Sequence, residues 1–553
     1  VSALAGGDHL IWIGAPAALP ADLWVGAFRP VEGPVALSVP DSSPLPMQQV
    51  FHRAAADSAY LKPVKEMPYH NQDEELRADL EPLLEARDRF GQVVGYPAVL
   101  MRHYAPSFVR RRFDGGEHFF FLLDRPSEAL DDQAWAGLLA TIAMRLKTGL
   151  ELARTGADYA SYRSGERVTA RAVLRNVGPR MAAGTLRFLA KAPGEREFRA
   201  VQQERRLPDA GGSSEAIASF VPHGPPGLWS LRVELLADPA HLTEPAVAGR
   251  PVLIDRRDTG FIVLDSELRG GPRISFDGPR IRIDGSGGFL TGTNYYPSSS
   301  WWEWLWRDFR PLAAVEDFAS MRRTGYRIVR IWAEPELDET TLRAMDAAIY
   351  LAGRAGLVVD LCLFTQWVRT MAFENPNHDR IRFDFRGPRD FNIYGISLRN
   401  LEWQRGYAAS LARRWRSAEN LVFNLANETY VNDPDRSQMD PKALQWPGIP
   451  ASPGVLRDSL LFRAWAREIV AAIRETGAKQ PVIPGYIFAE MKGGDAYLAQ
   501  RDGEIAAWHS YSNFDHTAAA LSYVDPHSSG RPMLLEEMGT TGWNRPEVYD
   551  ALA

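Results

Sequence analysis

The chain has 553 residues, 45% hydrophobic and 24% charged, with a formal net charge of −6. That length is too great for one core and predicts three domains of roughly 150–250 residues each. An acidic balance without a basic block removes the electrostatic case for nucleic-acid binding, and no stretch reaches the roughly 18 consecutive apolar residues of a membrane span.

Residues 1–155 mix short strands with a helix. His9-Leu10-Ile11-Trp12-Ile13-Gly14, Gly91-Gln92-Val93-Val94-Gly95-Tyr96-Pro97 and His118-Phe119-Phe120-Phe121-Leu122-Leu123 read as strands. Asp131 to Leu152 has helical spacing, with Leu138, Leu139, Ile142, Met144, Leu146 and Leu150 available for one broad face. The mixture predicts a partial α/β unit. It resembles the amidotransferase-like, flavodoxin-type domains attached to some bacterial glycosidases. With no Cys nucleophile and no Gly-rich phosphate loop here, an accessory or oligomerisation role is expected.

Residues 156–258 change character. Val168, Ala170, Ala172 and Leu174 alternate on one face, Asn176-Val177-Gly178 closes that strand, and Gly227 to Leu235 alternates again. Short strands between Gly/Pro turns predict a β-sandwich, similar to the immunoglobulin-like modules of bacterial carbohydrate enzymes. Trp229 is expected in its core rather than against a sugar.

From 259 to 553 strands and helices alternate. The hairpin Ile274 to Gly285 has the form of a plug for the bottom of a barrel. Strands follow at Phe289–Asn294, Tyr326–Trp332, Leu357–Leu363, Leu421–Ala426, Pro481–Gly485, Ile505–His509 and Met533–Glu536, with helices at 314–324, 339–355, 398–415 and 456–476. This spacing predicts right-handed crossovers and a parallel (β/α)8 TIM barrel. Seven strands are visible and an eighth is not. Either the natural chain continues beyond Ala553 or the count is off by one. The chain also begins at Val1 without a signal-peptide pattern, and both ends read as cut. Location stays open, with a secreted or periplasmic setting favoured over the cytoplasm.

The chemistry gathers where apolar strands end in carboxylates. Leu421-Val422-Phe423-Asn424-Leu425-Ala426 stops at Asn427-Glu428, and Arg531-Pro532-Met533-Leu534-Leu535 stops at Glu536-Glu537-Met538-Gly539. Two carboxylates at two strand ends of one barrel suit glycoside hydrolysis, in which one carboxyl is protonated and the other ionised. By itself Glu428 is equally readable as a carboxylate favoured by a helix N-terminus.

Asn427-Glu428 and Glu537-Met538-Gly539, in this order and placement, resemble the two catalytic stations of clan A glycoside hydrolases, in particular the cellulase-like family 5. The resemblance covers about residues 285–545. It implies that Glu428 is the acid/base, Glu537 the nucleophile and Asn427 a partner of the sugar 2-hydroxyl. Gly539, two residues on, selects Glu537 over Glu536. Because adjacent strand residues face opposite ways, Glu536 is expected to pair with a cation outside the barrel. Arg330 corresponds to the family's arginine near the nucleophile, and His509-Ser510-Tyr511 to its His-x-Tyr. Asn294 and Tyr295, ending the first strand, are expected to line the floor.

Carbohydrate clefts collect tryptophan because pyranose C–H faces stack on indole. Trp332, Trp367 and Trp543 follow strands two, three and seven and are subsite candidates, while Trp301, Trp302, Trp304 and Trp306 crowd the loop after strand one. The long 370–392 loop contains His378, the nearest counterpart of a family histidine after strand three. The single cysteine, Cys362, excludes an intrachain disulfide and a Cys-rich metal site and reads as core. No His-Glu-x-x-His or Cys/His set occurs, so no metal is expected, and glycosyl transfer by two carboxylates needs no cofactor. The expected partner is a carbohydrate, with the N-terminal region available for oligomerisation. The competing expectation is a non-catalytic carbohydrate-binding or scaffold protein on a decayed barrel.

Overall fold

The computed structural model describes residues 10–13, 29–40, 43–44, 54–61, 78–91, 93–103, 116–122, 132–178, 180–237, 252–265, 268, 270–297, 305–334, 337–365, 401–427, 457–485, 503–510 and 530–538. They fall into two compact units, one built from the chain up to Leu264 and one from Asp265 onward, with Arg310–Leu312 grouped with the first. Among the described residues no helix is long and apolar enough to cross a membrane.

The first unit opens with a six-stranded sheet of β1 (Leu10–Ile13), β2 (Arg29–Ser38), β3 (Ala54–Leu61), β4 (Ala78–Arg87), β5 (Val93–His103) and β6 (Glu117–Phe121). Their order is β1-β6-β5-β4-β2-β3. Only the β1–β6 pair is parallel; the others run antiparallel. The flavodoxin-type expectation is corrected here, since that fold needs a parallel sheet. The reason is local. β4 and β5 are joined by a tight turn in which Asp88 Oδ1 accepts from the Phe90 N–H at 2.9 Å and Gly91 takes φ 76°. So short a connection can only reverse the chain.

Helix α1 (Asp132–Thr148) packs Leu138 and Ile142 against Leu84, Leu100, Phe119 and Phe121, with Trp135 edge-on to Phe121 at 5.3 Å. It stops at Gly149 (φ 64°), earlier than the expected Leu152, and Leu150 begins the next strand.

A sandwich follows, built from β7 (Leu150–Ala157), β8 (Ser161–Arg163), β9 (Val168–Asn176), β10 (Gly184–Lys191), β11 (Arg199–Arg206), β12 (Ser213–Phe220), β13 (Gly227–Ala237) and β14 (Val252–Leu264). One sheet runs β11-β10-β13-β14-β8 and the other β12-β9-β7. Val168, Ala170, Ala172 and Leu174 face inward together, as their alternation requires, and meet Leu186, Phe188 and Leu231 of the opposite sheet. Trp229 is in this core, stacked on Phe261 at 6.1 Å, with its indole N–H donated to the Pro225 carbonyl at 3.3 Å.

The second unit starts with a hairpin, β15 (Ile274–Asp277) and β16 (Arg280–Ile283), extended by β17 (Ser286–Gly287). Strands and helices then alternate: β18 (Gly292–Asn294), α2 (Pro311–Arg323), β19 (Ile328–Trp332), α3 (Glu339–Arg354), β20 (Val358–Thr365), α4 (Leu401–Trp415), β21 (Leu421–Asn427), α5 (Arg457–Glu475), β22 (Val482–Ile483), β23 (Ala506–Ser510) and β24 (Met533–Met538). β18 through β22 form one sheet in sequence order, and β23 and β24 form a second. Every neighbouring pair among them is parallel. The expected closed eight-stranded barrel is not found among the described residues. β24 has no ladder to β18, and no eighth strand is described.

What organises these strands is an apolar layer. Ile328, Val358, Val422, Ile483, Ala507 and Leu534, one each from β19 to β24, meet Ile274 and Ile283 of the hairpin in one cluster. The hairpin therefore caps the strands' N-terminal ends. Burying each large aliphatic side chain there contributes about 1.5–3 kcal/mol. The helices hold the layer from behind. The Asp338 side chain caps α3 by accepting from the Thr341 N–H at 2.7 Å. Asp346 on α3 accepts from the Trp415 indole at 2.8 Å, and Gln404 on α4 accepts from Trp465 on α5 at 2.9 Å.

Candidate active site

Side chains two residues apart on a strand share a face. Two positions beyond the apolar layer stand Arg330, Asp360, Asn424, His509 and Glu536. Just past β22 the equivalent position is Gly485, whose φ is 91° and where an added Cβ would collide with the Ala426 backbone. An apolar floor thus gives way to a charged tier at one level.

The tier is joined through Arg330, which is 3% exposed. Its Nη1 donates to Glu537 Oε1 at 2.5 Å and its Nη2 to Asn427 Oδ1 at 2.9 Å. Nη2 is also 3.3 Å from Glu536 Oε2, and Nε is 3.5 Å from Asp360 Oδ2. Asn424 Nδ2 donates to Glu536 Oε1 at 2.6 Å and reaches Asp360 Oδ2 at 3.4 Å. His509 Nε2 lies 3.2 Å from Glu536 Oε2, and its Nδ1 lies 3.8 Å from Glu537 Oε2.

One guanidinium faces three carboxylates. Burial works against the Arg330 charge, but Glu536, Asp360 and Glu537 outweigh it and push its pKa further up. Burial, and then the Glu536 charge, push the Asp360 carboxyl up to about 7 against the pull of Arg330. Burial likewise pushes the Cys362 thiol up, and the side chain is a core residue as expected.

The adjacent glutamates need a physical reason to share a cation. β23 and β24 pair in register up to Trp508↔Leu535, and then His509 stands opposite Glu537. The extra residue is Glu536. Such a bulge sets two successive residues of one strand against a single partner, so the usual alternation breaks. Glu536 does not pair with a cation outside the strands, as alternation led one to expect. Its side chain is fully buried among Arg330, His509 and Asn424.

Of the residues singled out from the sequence, Arg330, Asn427, His509 and Glu537 come together. Trp332 stands beside them, with the Arg330 guanidinium 5.9 Å from its ring centre. Asn294 pairs with Arg330 in the strand register, and its Oδ1 is buried with no hydrogen-bond partner among the described residues. Tyr295 faces the helix layer instead of the floor: its hydroxyl donates to Asp317 on α2 at 3.1 Å and its ring packs on Phe318 at 4.9 Å. Trp306 is buried, its indole donating to the Trp332 carbonyl at 2.7 Å. Glu428, Tyr511, Trp367, Trp543, Trp301, Trp302, Trp304 and His378 lie outside the described residues. Among the described residues no cluster of His, Cys, Asp and Glu forms a metal site.

Sequence reasoning missed Asp360, Asn424 and the inward turn of Glu536. A signal for them existed. Ile328-x-Arg330, Val358-x-Asp360, Val422-x-Asn424, Ala507-x-His509 and Leu534-x-Glu536 repeat one apolar-x-polar step on five strands.

No family model matches the sequence, and no curated protein matches it. Solved structures similar to this chain include a putative β-galactosidase from Bacteroides fragilis (14% identity, 71% of this chain, 47% of that chain, TM-score 0.28). Others are a Parabacteroides merdae β-glucuronidase (10%, 71%, 40%, TM-score 0.31) and a GH2 β-galacturonidase from Eisenbergiella tayi (10%, 71%, 56%, TM-score 0.28). The chain thus spans about half the length of these proteins, and overlaps so loose assign it no activity.

Proposed function

We propose that the second unit is a retaining β-glycoside hydrolase of the clan A type, acting on an oligo- or polysaccharide, with Glu537 as nucleophile and Glu428 as acid/base. The observation that carries this reading is the shared guanidinium. Arg330 binds Glu537 Oε1 and Asn427 Oδ1 at once, so the ends of β21 and β24 meet at one point and the residue after Asn427 is the other glutamate. Glu537 also keeps 12% of its side chain exposed, whereas Glu536 has none.

In the first step the Glu428 carboxyl gives its proton to the glycosidic oxygen. The Glu537 carboxylate attacks the anomeric carbon as the bond to the leaving group breaks. In the second, Glu428 takes a proton from water, whose oxygen attacks the same carbon and releases Glu537. Arg330 holds the nucleophile in place by donating from Nη1 to its Oε1. Asn427, its Oδ1 engaged by Arg330, meets the sugar 2-hydroxyl through Nδ2.

Nitrophenyl glycosides and soluble polysaccharides test this directly. E428Q and E537Q should each lower turnover by roughly three orders of magnitude or more, and azide should convert E537A turnover into a glycosyl azide. Near-wild-type hydrolysis in both Gln variants would sink the reading. Sugar binding by calorimetry with no turnover of any glycoside would favour a binding or scaffold protein.

A further inference from the structure

We infer that Glu536 is a positioning residue, which sets how Arg330 and His509 meet the nucleophile; this rests on the glycosidase reading above. Both of its oxygens are committed inside the protein, Oε1 to Asn424 at 2.6 Å and Oε2 between Arg330 Nη2 at 3.3 Å and His509 Nε2 at 3.2 Å. With no exposed side-chain surface it cannot touch a substrate.

An arginine facing one carboxylate closes on it through two parallel N–H···O bonds. Here that fork is divided. Nη1 goes to Glu537, Nη2 to Asn427 and Glu536, and Nε faces Asp360. Arg330 consequently reaches Glu537 through one nitrogen and one carboxylate oxygen. A two-bond grip would tie up both oxygens and most of the charge that attack on an anomeric carbon requires. Glu536 works against that grip by sharing the second nitrogen with Asn427 and drawing off part of the guanidinium's charge. It also faces one edge of the His509 ring, whose other nitrogen lies 3.8 Å from Glu537. The bulge makes this possible, because an unbulged strand would present only one of the two glutamates to Arg330.

The test compares E536Q, E536A and E537A, with circular dichroism and urea unfolding confirming that each is folded. E536Q should lower kcat by about ten- to a hundredfold with KM changed less than about threefold, as expected for an interaction expressed in the transition state. The acidic limb of its kcat/KM profile should move to lower pH, because one negative charge has left the cluster. Azide should not rescue E536A. A glycosyl azide from E536A would overturn the inference by making Glu536 the nucleophile. So would unchanged kcat, or a loss of kcat with an unmoved pH profile, the mark of a merely structural role. If the wild-type protein turns over no glycoside, the glycosidase reading fails, and crystal structures of wild type and E536Q decide the positioning claim alone. Arg330 should then swing to grip Glu537 through two nitrogens, and an Arg330 and His509 left in place would overturn it.

Discussion

The protein buries two clusters of opposite charges and treats them differently. In the first unit Arg102 and Arg145 meet Glu117 and Asp255, with Glu81 at the margin. Every oxygen of Glu117 and Asp255 accepts a hydrogen bond, those of Asp255 also from the Leu152 and Arg256 backbone N–H groups. Burial opposes the Glu117 charge, but Arg145 and Arg102 overcome it and hold the carboxyl down to about 2. In the second unit one arginine serves three carboxylates, and Asp360 Oδ1 and Asn424 Oδ1 are buried with no hydrogen-bond partner among the described residues. There the Asp360 carboxyl moves up to about 7; beside the first cluster burial and then the Glu117 charge raise Glu151 equally, so the two clusters differ in their hydrogen bonding and not in the presence of a raised acid. Matched cations close a cluster into a structural lock. Surplus acids with one edge open to solvent leave protons and lone pairs in play, which the proposed glycosidase chemistry would use.

The comparison can be broken most sharply at its arginines. R145M removes a cation that Glu117 and Asp255 cannot replace, and it should cost about 3–5 kcal/mol of stability, read by urea unfolding. R330M should cost less, on the order of 1–3 kcal/mol, because Asp360 can take up a proton in compensation. Equal losses would erase the distinction drawn here.

A smaller effect concerns pH. Asp360 holds its proton more tightly folded than unfolded, so its stabilising contribution is full below about pH 4 and disappears as pH rises to about 7. D360N should therefore gain on the wild type across that interval, by roughly a few kcal/mol at most. Glu117 has the opposite sign: its contribution is full above the ordinary carboxylate range and is lost as pH falls toward about 2. Urea midpoints at several pH values check both, and a D360N advantage that shrinks as pH rises would contradict the first. Smallest of all, R171A breaks an exposed pair with Asp158 and should leave the unfolding midpoint unchanged in a thermal scan.

Much of the second unit was legible because its strands are short apolar runs bounded by helices of regular period. All seven expected strand positions are strands, and Arg330, Asn427, His509 and Glu537 were marked by the resemblance of their motifs to the stations of clan A glycoside hydrolases together with their places on or near strand ends. The N-terminal sheet was less readable. β2, β3 and β4 carry Pro, Glu, Asp and Ala in patterns without a clean period, such as Arg29-Pro30-Val31-Glu32-Gly33-Pro34. With those strands unseen, the remaining strands and one long helix looked like a parallel α/β unit.

Periodicity along the chain is a local property, and it determined by itself where the strands lie and that charged residues follow apolar ones on five of them. Which glutamate keeps an exposed edge and which is wholly buried was decided only by the fold. The bulge at Glu536 depends on how β24 registers against β23, a partner more than twenty residues away. Strand direction in the N-terminal sheet was likewise set by which strands became neighbours, and nothing inside a single strand records that.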